Sequence, residues 1–133
     1  MGRTATERYR RERSDCDARM KRRYKRGMPR SQPGGYTVRD LIAWQKAMKV
    51  AETVYRVTRA FPSDERFGLI AQCRRASVSI AANIAEGHGR HGGASFVQFL
   101  RIAQGSALEL ETELELAIRL GYVDAGHVGG GSR

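Results

Sequence analysis

Residues 72–87, QCRRASVSIAANIAEG, decide the fold of this 133-residue chain. Apolar positions here and just upstream recur at alternating spacings of three and four, which is typical of a helix with one buried face. That stripe comprises Leu69, Cys73, Ala76, Ile80 and Asn83. Between these positions Ala and Ser predominate, and their small side chains allow a second helix to approach closely. The stretch therefore predicts a helix over about 64–86, with Gly87 as its left-handed C-terminal cap.

Two further helices are predicted on either side of this one. The first spans about 37–60, because Thr37-Val38-Arg39-Asp40 matches a capping box and Phe61-Pro62 ends the apolar pattern. The third spans about 93–120, where apolar residues keep the same three-and-four spacing. Gly92 or Gly93 is expected to begin it.

The fold class that follows is all-α, since no strand-like alternation occurs in the sequence. We expect an up-down antiparallel helical bundle of the four-helix-bundle family. Its fourth helix is expected to be missing or truncated, because only a glycine-rich tail follows Gly121. Residues 36–122 then form the bundle domain and residues 123–133 the tail.

The positive charge lies mainly at the N-terminus. Residues 1–35 carry 12 Lys and Arg against 4 Asp and Glu, which accounts for +8 of the total net charge of +10. We expect these residues to form a basic extension separated from the bundle by a Pro- and Gly-rich linker. A polybasic segment favours a polyanionic partner, nucleic acid before membrane. A solvated extension without a specific partner has the same composition, so both interpretations stay open.

Several functional classes lack their signatures. No apolar run approaches the roughly 18 residues of a membrane span. Cys16 and Cys73 lie far apart and read as free thiols of a cytoplasmic protein. There is no Walker loop and no Ser/His/Asp arrangement in a suitable context. We therefore expect a protein that is not an enzyme, with no cofactor, no metal and no membrane partner.

The stretch GHGRHG at residues 87–92 fits the pattern G-x-G-x-x-G. A dinucleotide site requires that pattern to follow a strand, and here a helix precedes it. A turn between helices is the simpler interpretation. His88, Arg90 and His91 precede a helix N-terminus, which favours anions, so a phosphate of a nucleic-acid backbone is the second interpretation.

Three polar or small features within the helices carry further expectations. If Asn83 is buried, its amide needs hydrogen-bond partners, and such a residue can fix the register of a bundle. The pair Gly105-Ser106 interrupts the third helix and is best explained by close contact with a neighbouring backbone. Arg74 and Arg75 are expected to balance the glutamates at 109, 111, 113 and 115, either within one subunit or between subunits.

Ordered blocks between residues 40 and 122 resemble a family of small four-helix-bundle proteins. This family was first noticed as reading frames inside intervening sequences of bacterial 23S ribosomal RNA genes. The blocks include DLIAWQKAM at 40–48, FP at 61–62, QCRRA at 72–76, NIAEG at 83–87, GS at 105–106 and LGY at 120–122. A structural signature is implied for Trp44, Gln45, Asn83, Glu86, Gly87, Gly105 and Ser106.

The resemblance also implies a ring-like homopentamer. An accessory protein of diversity-generating retroelements is similar in fold, with a basic surface that binds nucleic acid and a reverse transcriptase. For this chain the first hypothesis is thus a non-catalytic oligomeric accessory factor that holds the RNA or DNA backbone. The alternative is a structural protein–protein interaction module. The candidate nucleic-acid contacts are Lys21, Arg22, Arg23, Lys25, Arg26, Arg74, Arg75, His88, Arg90 and His91.

Overall fold

Three long helices form the body of the protein. The computed structural model describes residues 37–90 and 92–128, and also residues 4, 6, 7, 10, 11, 14, 15, 18, 19 and 22. The helices are α1 (Ile42–Val57), α2 (Leu69–Gly89) and α3 (Gly93–Arg119), followed by the short α4 (Ala125–Val128). Helix α2 packs against both α1 and α3. With no strand among the described residues, the all-α prediction is confirmed, and three packed helices fit a truncated bundle.

The first helix begins later than predicted. The backbone N–H of Thr37 donates to Asp40 Oδ2 over 2.7 Å, as a capping box requires. However, this box caps only the 3-10 turn Val38–Asp40, and Leu41 is extended, so α1 starts at Ile42. Gln45 Nε2 donates to the carbonyl of Arg39 over 2.7 Å and ties the turn to the helix. The extended Phe61 ends the first helical region, as predicted.

The second helix is displaced toward the C-terminus of its predicted range. Ser63–Glu65 forms a 3-10 turn, and α2 begins at Leu69. Glu65 Oε2 accepts the N–H of Leu69 over 2.8 Å, while its Oε1 accepts the hydroxyl of Tyr122 over 3.2 Å. The Tyr122 ring lies 5.7 Å from the Phe61 ring between centres. Glu65 thus caps α2 and joins its start to the chain after α3.

Gly87 is not the left-handed cap that the sequence predicts. It is buried inside α2, whereas the positive φ of 75° among the described glycines belongs to Gly121. There the N–H of Gly121 donates to Ile118 and the N–H of Tyr122 to Ala117, which is the Schellman end of α3. Gly87 serves close packing instead, because a Cβ there would lie 2.8 Å from Phe99 Cβ.

Small polar side chains join α2 to α3 near the middle of the bundle. The hydroxyls of Ser79 and Ser106 lie 2.9 Å apart. Half-buried Asn83 donates through Nδ2 to the Ser79 carbonyl and hydroxyl, over 2.8 and 3.0 Å. The prediction for Gly105 is wrong, since no described atom lies within 4 Å of a Cβ built there. The close contact of this region belongs to Ser106.

The apolar core consists of two clusters along α2. The first contains Val54, Phe61, Leu69, Cys73, Ala76, Leu110 and Ala117. The second contains Ala47, Ala81, Ile84 and Ala103, with half-buried Trp44 packed against it. Phe96 and Val97 are also buried, at the start of α3. The predicted stripe of α2 supplies Leu69, Cys73 and Ala76 to the first cluster, whereas the second cluster takes Ala81 and Ile84, which lie outside that stripe.

An apolar channel remains open between α1 and α3, above Ile80 of α2. Its volume is about 430 Å³. The walls comprise Ala43, Lys46, Ala47 and Val50 from α1, and Ala107, Leu110, Glu111, Leu114, Glu115 and Ile118 from α3.

Glu113, on α3, is a carboxyl group buried in the body of the protein. Its side chain is buried, and among the described atoms its Oε2 has no hydrogen-bond partner. Burial raises the pKa of Glu113, and the Glu109 carboxylate raises it further, while the Cys73 thiol and Arg75 act in the opposite direction. Burial and the Glu113 charge raise the pKa of Cys73 to about 12. Cys73 therefore stays a protonated, unreactive thiol at neutral pH.

The raised pKa of Glu113 predicts a stability that declines with pH. Between the ordinary pKa of 4.5 and the raised folded value, the folded state binds more protons than the unfolded state. The free energy of unfolding therefore falls as pH rises through this window. Glu113→Gln should remove that decline. At pH values above 7 the variant should melt at a higher temperature than the wild type, and below about pH 4 the two should differ little. Thermal denaturation across pH checks this, with the exposed Glu111→Gln as control. Parallel wild-type and Glu113→Gln profiles would contradict it.

Candidate nucleic-acid interface

Five arginines and two aromatic rings lie on one side of α1 and α2. Two adjoining depressions share Tyr55. The first is lined by Met48, Ala51, Glu52, Tyr55, Arg56 and Arg59. The second, of about 500 Å³, is lined by Tyr55, Arg66, Phe67, Ile70, Ala71, Arg74, Arg75 and Val78. We call the set Tyr55, Arg56, Arg59, Arg66, Phe67, Arg74 and Arg75 the arginine surface.

Helix geometry explains why these residues share one side. Tyr55 lies near the end of α1 and Arg59 in the 3-10 turn Thr58–Ala60 that continues it, and both line the first depression. The turn at 66–68 returns the chain directly to the start of α2. Arg74, one helical turn beyond Ile70, therefore lies beside the end of α1. The short connection brings the arginines of two helices together.

Arg74 belongs to α2 but is held by α1. Its Nε donates to Thr58 Oγ1 over 2.9 Å, and its guanidinium carbon lies 4.7 Å from the centre of the Tyr55 ring. Thr58 is fully buried, and its hydroxyl donates to the Val54 carbonyl over 2.8 Å. The arginine is thus fixed over the ring with one of its five N–H groups engaged.

Phe67 is the most exposed large apolar side chain of the described residues. It lies in the turn before α2 and is 89% exposed. The guanidinium carbon of Arg66 lies 5.5 Å from its ring centre, within the range of a cation–π contact. No described neighbour buries the ring, so its surface is available to a ligand.

The electrostatic balance of the arginine surface is strongly positive. Among the described residues that line its two depressions, Glu52 is the only acid, against five arginines. Arg56, Arg59, Arg66 and Arg75 are exposed, and Arg74 is half-buried. Such an unbalanced group of guanidiniums attracts anions.

The predicted bundle residues separate into two groups in the structure. Arg74 and Arg75 belong to the arginine surface, whereas His88 and Arg90 lie at the other end of α2, roughly 20 Å away at 1.5 Å per residue. Arg90 pairs with Glu86 over 2.8 Å and lies 5.5 Å from the Phe99 ring centre. The Glu86 carboxylate thus balances the charge of Arg90. His91 lies outside the described residues.

Within one chain, Arg74 is bound to Thr58 rather than to the glutamates. Arg75 acts on one member of the glutamate row, since its charge lowers the pKa of Glu113 against the larger effect of burial. Pairing between subunits stays a prediction. The two neighbouring arginines line the same depression, but Arg74 is bonded to α1 whereas Arg75 acts on a glutamate of α3.

The N-terminal candidates cannot be compared with the bundle in the same way. Arg22 is exposed. Lys21, Arg23, Lys25 and Arg26 lie outside the described residues. Their role stays a prediction from the sequence.

Five members of the arginine surface were not among the candidates predicted from the sequence, namely Tyr55, Arg56, Arg59, Arg66 and Phe67. A signal was present, since Arg56, Arg59 and Arg66 flank the Phe61-Pro62 break. Short connections between helices gather such residues at one end of a bundle.

Two other kinds of site were sought in the part of the chain that the structure describes. There, no group of three or more His, Cys, Asp or Glu side chains is placed to hold a metal ion. The helices of the same part are too short or too polar to cross a bilayer.

Comparison with known proteins identifies the family. The sequence model of a family described as 23S rRNA-intervening sequence protein matches residues 39–129, which is more than half of the chain. No curated protein matches the sequence. The matched region includes all three long helices and the arginine surface. The chain therefore belongs to the 23S rRNA-intervening sequence protein family.

Proposed function

We propose that this protein is a non-catalytic accessory factor that binds nucleic acid on the arginine surface. The observation that carries the proposal is the concentration of five arginines and two aromatic rings around two depressions with a single carboxylate. The family's description refers to intervening sequences of 23S rRNA, which supports an RNA-related or accessory role.

The chemistry of guanidinium groups suits a phosphate backbone. Each guanidinium presents a planar set of donors that matches two phosphate oxygens, and it keeps its charge at any physiological pH. Arg59 and Arg66 are exposed on the turns that join α1 to α2, so they can reach a ligand without moving the core. Contacts of this kind fix position and orientation but carry no sequence information.

The predicted contacts outside the arginine surface have lesser roles in this proposal. Arg90 shares its charge with Glu86, which reduces its attraction for phosphate. His88 lies beside it at the end of α2. The cations of the N-terminal extension at 21, 22, 23, 25 and 26 add long-range attraction and speed the encounter with a polyanion.

A second candidate function is a structural interaction module. The apolar channel between α1 and α3 favours it, because side chains such as Val50 and Leu114 line an open groove rather than a closed core. A second copy of this chain is the occupant we propose, consistent with the homopentamer that the resemblance implies. In this alternative the arginine surface binds no nucleic acid.

The test distinguishes binding by the bundle from binding by the N-terminal extension, within the full chain. All twelve Lys and Arg of residues 1–35, which include Lys21, Arg22, Arg23, Lys25 and Arg26, are replaced by glutamine. A labelled single-stranded oligonucleotide is then titrated with this variant and with the wild type. Fluorescence anisotropy should show that the variant still binds and that its affinity falls steeply with salt. Loss of all binding at low salt would overturn the proposal and leave the interaction module.

A further inference from the structure

Phe67 has a position that phosphate binding alone does not explain. Guanidinium contacts to phosphates need no aromatic ring, yet this ring is 89% exposed beside Arg66. An apolar ring held in water gives no stability to the fold, since removing apolar surface from water is what stabilises it. Apart from the contact with Arg66, the ring loses its exposure to water only when a ligand covers it.

Tyr55 provides a second aromatic ring where the two depressions meet. It is 44% exposed, and the guanidinium of Arg74 lies 4.7 Å from its centre. Because Thr58 holds Arg74 in place, the cation and the ring form a fixed pair of planar groups. Nucleic-acid bases stack on such planar groups, whether aromatic rings or guanidinium planes.

The strandedness of the ligand follows from these rings. In a duplex the base faces are covered by neighbouring bases, so only phosphates, sugars and groove edges are accessible. A single strand can turn a base face onto a ring while its phosphates contact arginines. We propose that the arginine surface binds single-stranded nucleic acid, with one base stacked on Phe67 and the Tyr55–Arg74 unit as a second platform. This inference rests on the proposed function.

The experiment compares strands and side chains in one titration. A single-stranded oligonucleotide containing 2-aminopurine and its duplex with a complementary strand are titrated with wild-type protein, Phe67→Ala and Phe67→Trp at equal salt. The single strand is prepared as RNA and as DNA, so that the two sources of the same chemistry are distinguished. Leu108→Ala removes another exposed apolar side chain, 58% exposed on α3, and is the matched control.

Wild-type protein is expected to bind the single strand about tenfold or more tightly than the duplex, with quenching of the 2-aminopurine. Phe67→Ala should weaken single-strand binding by about tenfold while its salt slope and duplex affinity stay unchanged. Phe67→Trp should retain the wild-type affinity, and Leu108→Ala should behave as wild type. Circular dichroism confirms that each variant is folded, as expected for an exposed turn position.

Two results would overturn the inference. Equal affinity for the single strand and for the duplex, with the steep salt dependence kept, would leave the proposed function intact and exclude base stacking. A change of molecular mass in Phe67→Ala without a change in strand preference would assign Phe67 to a contact between copies. If the protein bound neither the single strand nor the duplex, the proposed function and this inference would both be overturned.

Discussion

Reversing the charge of Arg59 and Arg66 is expected to weaken single-strand binding by about a hundredfold or more. A hydrogen bond to a charged group contributes roughly 1.5–3 kcal/mol, and about 1.4 kcal/mol is a factor of ten. The variant Arg59→Glu/Arg66→Glu removes two such contacts and adds two repulsive charges, one beside each depression. Both side chains are exposed, so the fold should be retained.

The choice of these two arginines keeps the core interactions intact. Arg74 is bonded to Thr58, and Arg75 acts on Glu113, so reversal at either would disturb stability as well as binding. The salt slope of binding should also become shallower by roughly 1.4, the contribution of two phosphates on a single strand.

Arg39→Glu/Arg119→Glu is the matched control. It changes the net charge equally and alters exposed residues that line neither the arginine surface nor the apolar channel. Anisotropy titration of both variants measures the difference. Equal losses in the two variants would show that only net charge matters, and unchanged affinity in the arginine variant would favour the interaction module.

Gly87→Ala should destabilise the protein although alanine is the better helix former. The new Cβ would lie 2.8 Å from Phe99 Cβ and 3.0 Å from Phe96 Cδ2. Phe99 Cβ is fixed to the backbone of α3, so relief requires α2 and α3 to separate. Overpacking of this kind costs about 1–3 kcal/mol, more than the roughly 1 kcal/mol gained in helix propensity. For a chain of this size that lowers the melting temperature by several degrees, roughly 4–8 °C per kcal/mol.

Gly105→Ala is the control for this substitution. Gly105 lies inside α3, and no described atom would meet its new Cβ within 4 Å. The exchange should therefore stabilise by up to about 1 kcal/mol. If thermal denaturation gave the two variants the same melting temperature, the close approach of α2 and α3 at Gly87 would be contradicted.

The helices could be predicted where the chemistry that begins or ends them is local. The start of α3 beside Gly92 and the break at Phe61-Pro62 depend on neighbouring residues alone, and both were found as predicted. Gly87 shows the limit of such reasoning. A glycine after an apolar stripe is equally suited to a left-handed turn and to a close helix contact, and only the position of Phe99 distinguishes them.

The candidate site was less accessible to sequence reasoning. Arg74 and Arg75 could be singled out as basic residues, but their separation from Arg90 required the length of α2. Tyr55 follows the apolar spacing of α1, so periodicity assigns it to the core although it is 44% exposed. Phe67 stands beside Gly68 in a short turn, and no periodic pattern predicts the exposure of a single aromatic residue there.

The salt dependence of binding by the chain with the twelve Lys and Arg of residues 1–35 replaced by glutamine tests the central claim most directly. Five arginines that each neutralise one phosphate of a single strand predict a slope of log affinity against log salt of about −3.5. We expect a slope near that value in this variant, which lacks the cations of the N-terminal extension. A slope near zero would contradict nucleic-acid binding by the arginine surface. So would the loss of all binding when the cations of the N-terminal extension are removed.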